Sequence, residues 1–205
     1  MRSLMAIVLL VGAGCVPIAR PAEVSPTPDA ELGRATATPP STPGAMRSWL
    51  PTGTRALVLA LTDLPPGFGL AEERNDSWDI FDGYQYVDGW IAFYRRTTTA
   101  GIAFVSSQAT WYGTAEAAHA EIVEGLTYTV TRQQWAVEIP LGQTIGDESF
   151  GLRYGADPSA GEASYAVVFR TANITHWVFI RGVTGTVDIS MAIELAKKQL
   201  ARVHV

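Results

Sequence analysis

The chain of 205 residues has one cysteine, Cys15, so it can form no intramolecular disulfide, and everything after position 15 is free of thiols. Histidine is also scarce: His119, His176 and His204 fall at no H-x-x-x-H spacing. A zinc centre asks for three or four nitrogen or sulfur ligands, so none is expected, and no other metal or cofactor motif stands out. Charged residues make up only 17% of the chain and the net charge is −5, which leaves no basic face for nucleic acid. No serine lies in G-x-S-x-G, and "GVTGT" is too short for a phosphate-cradling loop and lacks its lysine. No apolar run approaches the about 20 residues of a membrane-spanning helix. These absences point away from zinc enzymes, nucleotide hydrolases, nucleic-acid binders and integral membrane proteins.

What is present begins at the N-terminus. Met1-Arg2-Ser3 precedes the apolar run Leu4 to Ala13, and small residues follow: the pattern of a secretory signal over 1–14. Gly12-Ala13-Gly14 runs straight into Cys15. This ending resembles the bacterial lipobox, with Gly12 where a leucine is usual and Leu10 and Val11 just upstream. The resemblance implies cleavage before Cys15 and lipid on its sulfur. Lipidation would also account for an exported thiol without a partner. Each buried acyl CH₂ contributes about 0.8 kcal/mol, and stable anchoring takes more than one chain. The expected location is the cell envelope, on the outer side of the cytoplasmic membrane or in an outer membrane if the host has one.

Residues 15–47 are rich in Pro, Thr, Ala and Ser and contain no aromatic residue. Such a segment cannot bury enough apolar surface to offset the entropy of ordering it, and its prolines favour extended polyproline II. It reads as a solvated spacer between anchor and domain, with no P-x-x-P recognition motif flanked by basic residues.

The rest, 48–205, is long enough for one domain with its own core. Arg55 to Leu61 is a short apolar run, helical by expectation and stopped by "DLPPGF". In "WDIFDGYQYVDGW" the pairs Asp82-Gly83 and Asp88-Gly89 are turn signals, so irregular structure with short strand pieces is expected there. "WIAFYRRT" and "IAFVSSQATWY" read as paired strands, and "ASYAVVFR" and "ITHWVFIR" as a hairpin. "TRQQWAVEIP" and "IGDESFGLRY" supply further strand material. Thr114 suits an N-cap, with Ala115, Ala118, Ile122 and Leu126 as the apolar stripe and Gly125 as the stop. The last helix runs from Asp188 to Val203, with Ile189, Ala192, Ile193, Ala196, Leu200 and Val203 on one face. Hairpin-linked strands without regular strand–helix alternation predict an α+β domain, mostly antiparallel sheet with packed helices.

"DLPPGF", "FYRR", "TAEAAHAE", "IGDESF", "VVFRTANITHWVFIRG" and "AIELAKKQLARV" occur in that order. Together they resemble bacterial envelope lipoproteins and sensor-type extracellular domains, some similar to the PsbP-like α/β/α sandwich. The resemblance implies a fold and a location and no particular activity.

Chemistry is thinly supplied. Ser149 with His176 is the one nucleophile–base pairing to weigh, and no motif stands behind it. Asp147-Glu148 are adjacent on a predicted strand and so expected to point to opposite faces as solvated acids. Asp76, Asp79, Asp82 and Asp88 hint at calcium, but with Gly83 at position six of an EF-hand, position one would be Trp78 and position twelve Gly89. The concentrated feature is aromatic: Trp78, Phe81, Tyr84, Tyr86 and Trp90 crowd among aspartates and glycines. Trp78, Tyr84, Tyr86 and Trp90 are the candidate binding residues, the alternative being that they close one end of the domain. The expectation is a non-enzymatic, membrane-anchored domain that binds a ligand or an envelope protein. A structural accessory of an envelope complex is the alternative, and a small hydrolase stands behind both.

Overall fold

A computed structural model describes residues 53–76, 85–99, 101–132, 136–155 and 161–204. They form one seven-stranded sheet in the order β1-β2-β3-β7-β6-β5-β4, antiparallel at every pairing. The strands are β1 (Gly69–Asn75), β2 (Tyr86–Thr98), β3 (Gly101–Tyr112), β4 (Ala136–Ile139), β5 (Glu148–Tyr154), β6 (Glu162–Thr171) and β7 (Ile174–Val183). Helix α1 (Ala115–Leu126) follows β3 and helix α2 (Ile189–Ala201) follows β7.

The period-two alternation of the central strands sorts their side chains into two layers. One face carries Ala92, Tyr94, Val105, Ala109, Val167, Phe169, Val178 and Ile180, packed beneath Ala192, Leu195 and Ala196 of α2. The other carries Leu152, Ala166 and Val168, joined by Ile122 of α1. The result is an α+β fold with a helix on each face of an antiparallel sheet, as expected from the hairpin-linked order of strands.

Both helices start where their caps predict. The Thr114 hydroxyl accepts from the Ala117 amide at 3.1 Å, and the Asp188 carboxylate from the Met191 amide at 3.0 Å. Gly125, expected to stop α1, lies inside it. The chain runs on to Leu126 and then into a π-helical turn, Thr127–Arg132. The buried face of α2 is Ala192, Leu195, Ala196 and Gln199, a stripe turned away from the expected one at Leu195 and Gln199.

The run at Arg55 to Leu61 forms two 3-10 turns, Thr54–Leu57 and Leu61–Asp63, in place of a helix. They press Leu57, Val58 and Leu59 into the α2 layer. Asp63 anchors the second turn: it accepts from the Ala60 amide at 2.7 Å and from the Arg202 guanidinium beyond α2. Strand β1 was not expected. Asp88-Gly89, read as a turn, lies within β2 next to a register shift between Tyr86 and Asp88.

Candidate functional site

Of the residues singled out in the sequence, Cys15, Trp78 and Tyr84 lie outside the described residues. Tyr86 and Trp90 are both on β2 but belong to different layers. Trp90 pairs with Ala109 and packs against the α2-side core, with the Arg55 guanidinium 5.2 Å from its ring centre. Tyr86 pairs with Tyr112, on the α1 side. Its phenol lies across Gly89, where a Cβ would meet the Tyr86 hydroxyl at 3.1 Å and the Asp76 carbonyl at 3.0 Å. Gly89 therefore makes the space in which Tyr86 lies.

Beneath Tyr86 a row of polar side chains crosses the sheet. Asp76, at the end of β1, accepts from the Gln108 amide, and its backbone N–H donates to the Gly89 carbonyl at 2.9 Å. Gln108 is followed on the same face of β3 by Thr110, which is paired with Thr175 of β7. The Thr175 hydroxyl hydrogen-bonds both Glu121 of α1 and Tyr112. Asp76 and Glu121 are buried, at 3% and 6% exposure. Burial foremost, with help from the charge of Asp76 and against the Thr175 hydrogen bond, pushes the Glu121 carboxyl up to about 7. Burial and the charges of Asp88 and Asp76 push the Tyr86 phenol up to about 12, and burial with the Glu121 charge raises Tyr112 further. The Glu121 Oε2 and Tyr86 Oη atoms are buried without a hydrogen-bond partner. Glu121 is not among the candidate site residues that the sequence offers. It sits three residues after Ala118 and beside Ile122, and that spacing puts it on the buried side of α1.

Asp88 has another role. Burial works against its charge, but hydrogen bonds from the Thr54 backbone and hydroxyl, the Gly89 backbone and Asn75 prevail and hold its carboxyl below the usual range. It thereby pins the first 3-10 turn, on the face opposite Tyr86.

Helix α1 packs on β3, β6 and β7. An aromatic ladder crosses the same face from β2 through β3 and β7 to β5. Phe93 and Phe104 have ring centres 5.8 Å apart, Phe104 and Phe179 6.3 Å, and Phe179 and Tyr154 5.4 Å. Phe93, Phe104, Tyr154 and Phe179 are all half-buried, and the Arg74 guanidinium lies 4.9 Å from the Phe93 ring centre. The α2 face also carries half-buried aromatics, Trp90, Trp111 and Tyr165, packed against its core.

The groups weighed for catalysis are engaged elsewhere. His176 is fully buried, and burial drives its imidazole down to about 3, so the ring is neutral. Gln199 Nε2 donates to its Nδ1 at 3.2 Å, so Nε2–H faces the Thr171 hydroxyl at 2.9 Å. Gln199 also accepts from Ser107 at 3.0 Å, and Ser107 accepts from the Leu59 amide at 2.9 Å. Ser149 accepts from the Ile145 amide at 2.9 Å and pairs with Phe169, which stands between it and His176. Asp147 and Glu148, expected to diverge, both bind Arg170, and Glu148 also meets His119 at 2.8 Å. Among the described residues, no three His, Cys, Asp or Glu side chains gather in a metal-binding group, and no helix is long and apolar enough to cross a membrane.

No protein-family model and no curated protein matches the chain. Among solved structures it is similar to the extracellular domain of PknH from Mycobacterium tuberculosis. The TM-score is 0.52 at 13% identity, over 73% of this chain and 94% of that one. The likeness is one of fold.

Proposed function

We propose that the chain is a lipid-anchored extracytoplasmic lipoprotein whose 48–205 domain binds a ligand or partner protein and catalyses no reaction. The observation that carries the binding reading is the unbroken run of half-buried rings, Phe93, Phe104, Phe179 and Tyr154, on the α1 face. Over the α2 face, His176, Gln199 and Ser107 hydrogen-bond one another, and the segment of the 3-10 turns adds Leu57, Val58 and Leu59 to the core. On the α1 face Phe93, Phe104 and Phe179 stay half-buried, ring beside ring. Rigid aromatic rings offer contact area at low entropic cost, which suits a recognition surface. The non-enzymatic reading draws on the engagement of Ser149, His176 and His119 in structural contacts. The fold shared with the extracellular domain of PknH supports an extracytoplasmic setting, and the "VGAGC" context of Cys15 supports the anchor.

Two experiments test this. In a bacterial host the full chain should take up a palmitate analogue and partition into detergent, and Cys15→Ser should do neither. A mutant still labelled and membrane-bound would sink the anchor. Capture of neighbours by the tagged native lipoprotein should weaken with Phe93→Ala or Phe104→Ala by more than the accompanying loss of stability explains. Capture that follows stability alone would remove the surface.

A further inference from the structure

Strand register sets arginines around the aromatic ladder. Arg95 of β2 pairs with Phe104 of β3, and Phe104 pairs with Arg181 of β7, so one ring is flanked across the sheet by two cationic side chains. Arg74 of β1 adds a third, over Phe93. Two acids answer two of them: Glu72 binds Arg74 and Glu162 binds Arg181. Both pairs reach solvent, so they contribute little to folding and can exchange partners. Arg95 is exposed and forms no ion pair among the described residues. The β1–β2 end of the ladder therefore carries a surplus cation. At the other end, past Tyr154, the exposed charge is Glu138 of β4, paired with Leu152.

The rings narrow what can lie there. Successive rings meet at 33°, 65° and 79°, which leaves no flat platform for a sugar or a nucleobase to stack on. Tilted rings leave notches instead, and the small side chains of Ser106, between Phe93 and Phe179, and Ser164, between Arg181 and Tyr154, keep the floor of the strip low. The ring centres are 5.4 to 6.3 Å apart, close to the about 6.5 Å between alternate side chains of an extended peptide. A uniformly anionic lipid surface is opposed by Glu138 at one end and by Glu72 and Glu162 beside the arginines. We propose that the strip binds an extended peptide segment of a partner protein, with apolar residues at every second position and acidic residues at one end. The apolar side chains sit in the notches, and the carboxylates lie at Arg95 and Arg181, away from Glu138. Arginine suits this task because its planar fork takes both carboxylate oxygens at once. The acidic end rests on register and charge; the use of the ladder rests on the binding reading.

Fluorescence-anisotropy titration of the full chain in phosphatidylcholine nanodiscs tests this. The probe is a labelled synthetic peptide of Leu-Ser repeats ended by Glu residues and capped at both termini. It should bind, less tightly as salt rises, and counterparts ended by Gln or by Lys should bind about fivefold more weakly or worse. Arg95→Gln should weaken the Glu peptide about fivefold, and Arg95→Glu should move the preference to the Lys peptide. Arg153→Gln should leave binding unchanged, because Arg153 pairs with Tyr165 and so faces the α2 layer. The idea is overturned if the Glu peptide does not bind, if the Gln or Lys peptide binds as tightly, or if Arg95→Gln behaves as Arg153→Gln does. It is overturned as well if phosphatidylglycerol in the nanodisc displaces the peptide from the wild type and not from Arg95→Gln, because the strip would then dock on an anionic membrane. Failure here, with capture of neighbours still weakened by Phe93→Ala and Phe104→Ala, would remove the acidic partner and leave the binding surface.

Discussion

Thr175 and His176 are neighbours on β7 and look into opposite layers. The Thr175 hydroxyl holds Glu121 under α1, while the His176 ring stacks on Phe169 beneath α2 with centres 4.4 Å apart. One peptide unit thus separates the contacts of two buried titrating groups whose shifts have opposite consequences for stability.

His176 should make the fold sensitive to acid. Its folded value of about 3 lies below its ordinary 6.5, so the unfolded chain binds the extra proton between these limits. Its contribution is complete above pH 6.5 and is lost as pH falls toward 3, at about 1.4 kcal/mol per pH unit. Urea unfolding from pH 7 to 4, in a Glu121→Gln background that removes the opposing carboxyl, should show this slope. His176→Gln should be less stable at pH 7 and should flatten it. An equal slope in that double mutant would place the acid sensitivity elsewhere.

Glu121 works in the other direction. Its carboxyl is raised from 4.5 to about 7, so the folded state keeps a proton that the unfolded chain has lost. That advantage is complete below pH 4.5 and is lost as pH rises through 7, by about 3 kcal/mol in all. Glu121→Gln should therefore melt higher than the wild type at pH 8, and the gap should close toward pH 5. A variant that melts lower at pH 8 would mean that the charged carboxylate has a partner inside the fold.

Tyr86 and Trp90 should separate in mutagenesis. Trp90→Ala opens the α2-side core and should cost about 3 kcal/mol. Tyr86→Phe removes a buried hydroxyl that has no partner and should stabilise by up to about 1 kcal/mol. If Tyr86→Phe weakens partner capture while its melting temperature holds, the hydroxyl touches the partner. If both variants leave stability unchanged, neither residue packs as described.

The β6–β7 turn carries local strain with a specific support. Ala172 sits at φ 52°, a left-handed conformation that costs a residue with a side chain about 1–2 kcal/mol. Asp147 accepts from the Ala172 amide at 2.6 Å, and Arg170 donates to the Ala172 carbonyl at 2.6 Å. Ala172→Gly should stabilise the domain by up to about 1 kcal/mol, and Asp147→Ala should destabilise it by about the same amount. Chemical denaturation of both variants checks this, and a destabilised Ala172→Gly would show that the methyl group packs against something.

How far the sequence could be read depended on which interactions shaped each segment. The 162–183 hairpin was legible because alternation and a short polar connection are both local. The start of each helix was legible because a cap residue satisfies amides only a few positions away. Strand β1, "GLAEERN", was not. Six of its seven residues are exposed, so no one-sided burial imposes a two-residue period on it. The Gly125 stop failed because Thr127 bonds back to the Val123 carbonyl at 2.7 Å and the chain keeps turning.

The candidate site shows the same division more sharply. Aromatic crowding near Tyr86 and Trp90 is a property of composition, and it could be seen without coordinates. Their separation into two layers depends on pairing register with β3, which includes the shift between Tyr86 and Asp88. The action of the Asp76 charge on Glu121 depends on β1, β3, β7 and α1 all being in place. Periodicity and capping act over a few residues and leave their mark in the order of amino acids. The burial of a charge, and the neighbours that decide its proton, come from segments far apart in the chain, whose approach is set when the two faces of the sheet are packed.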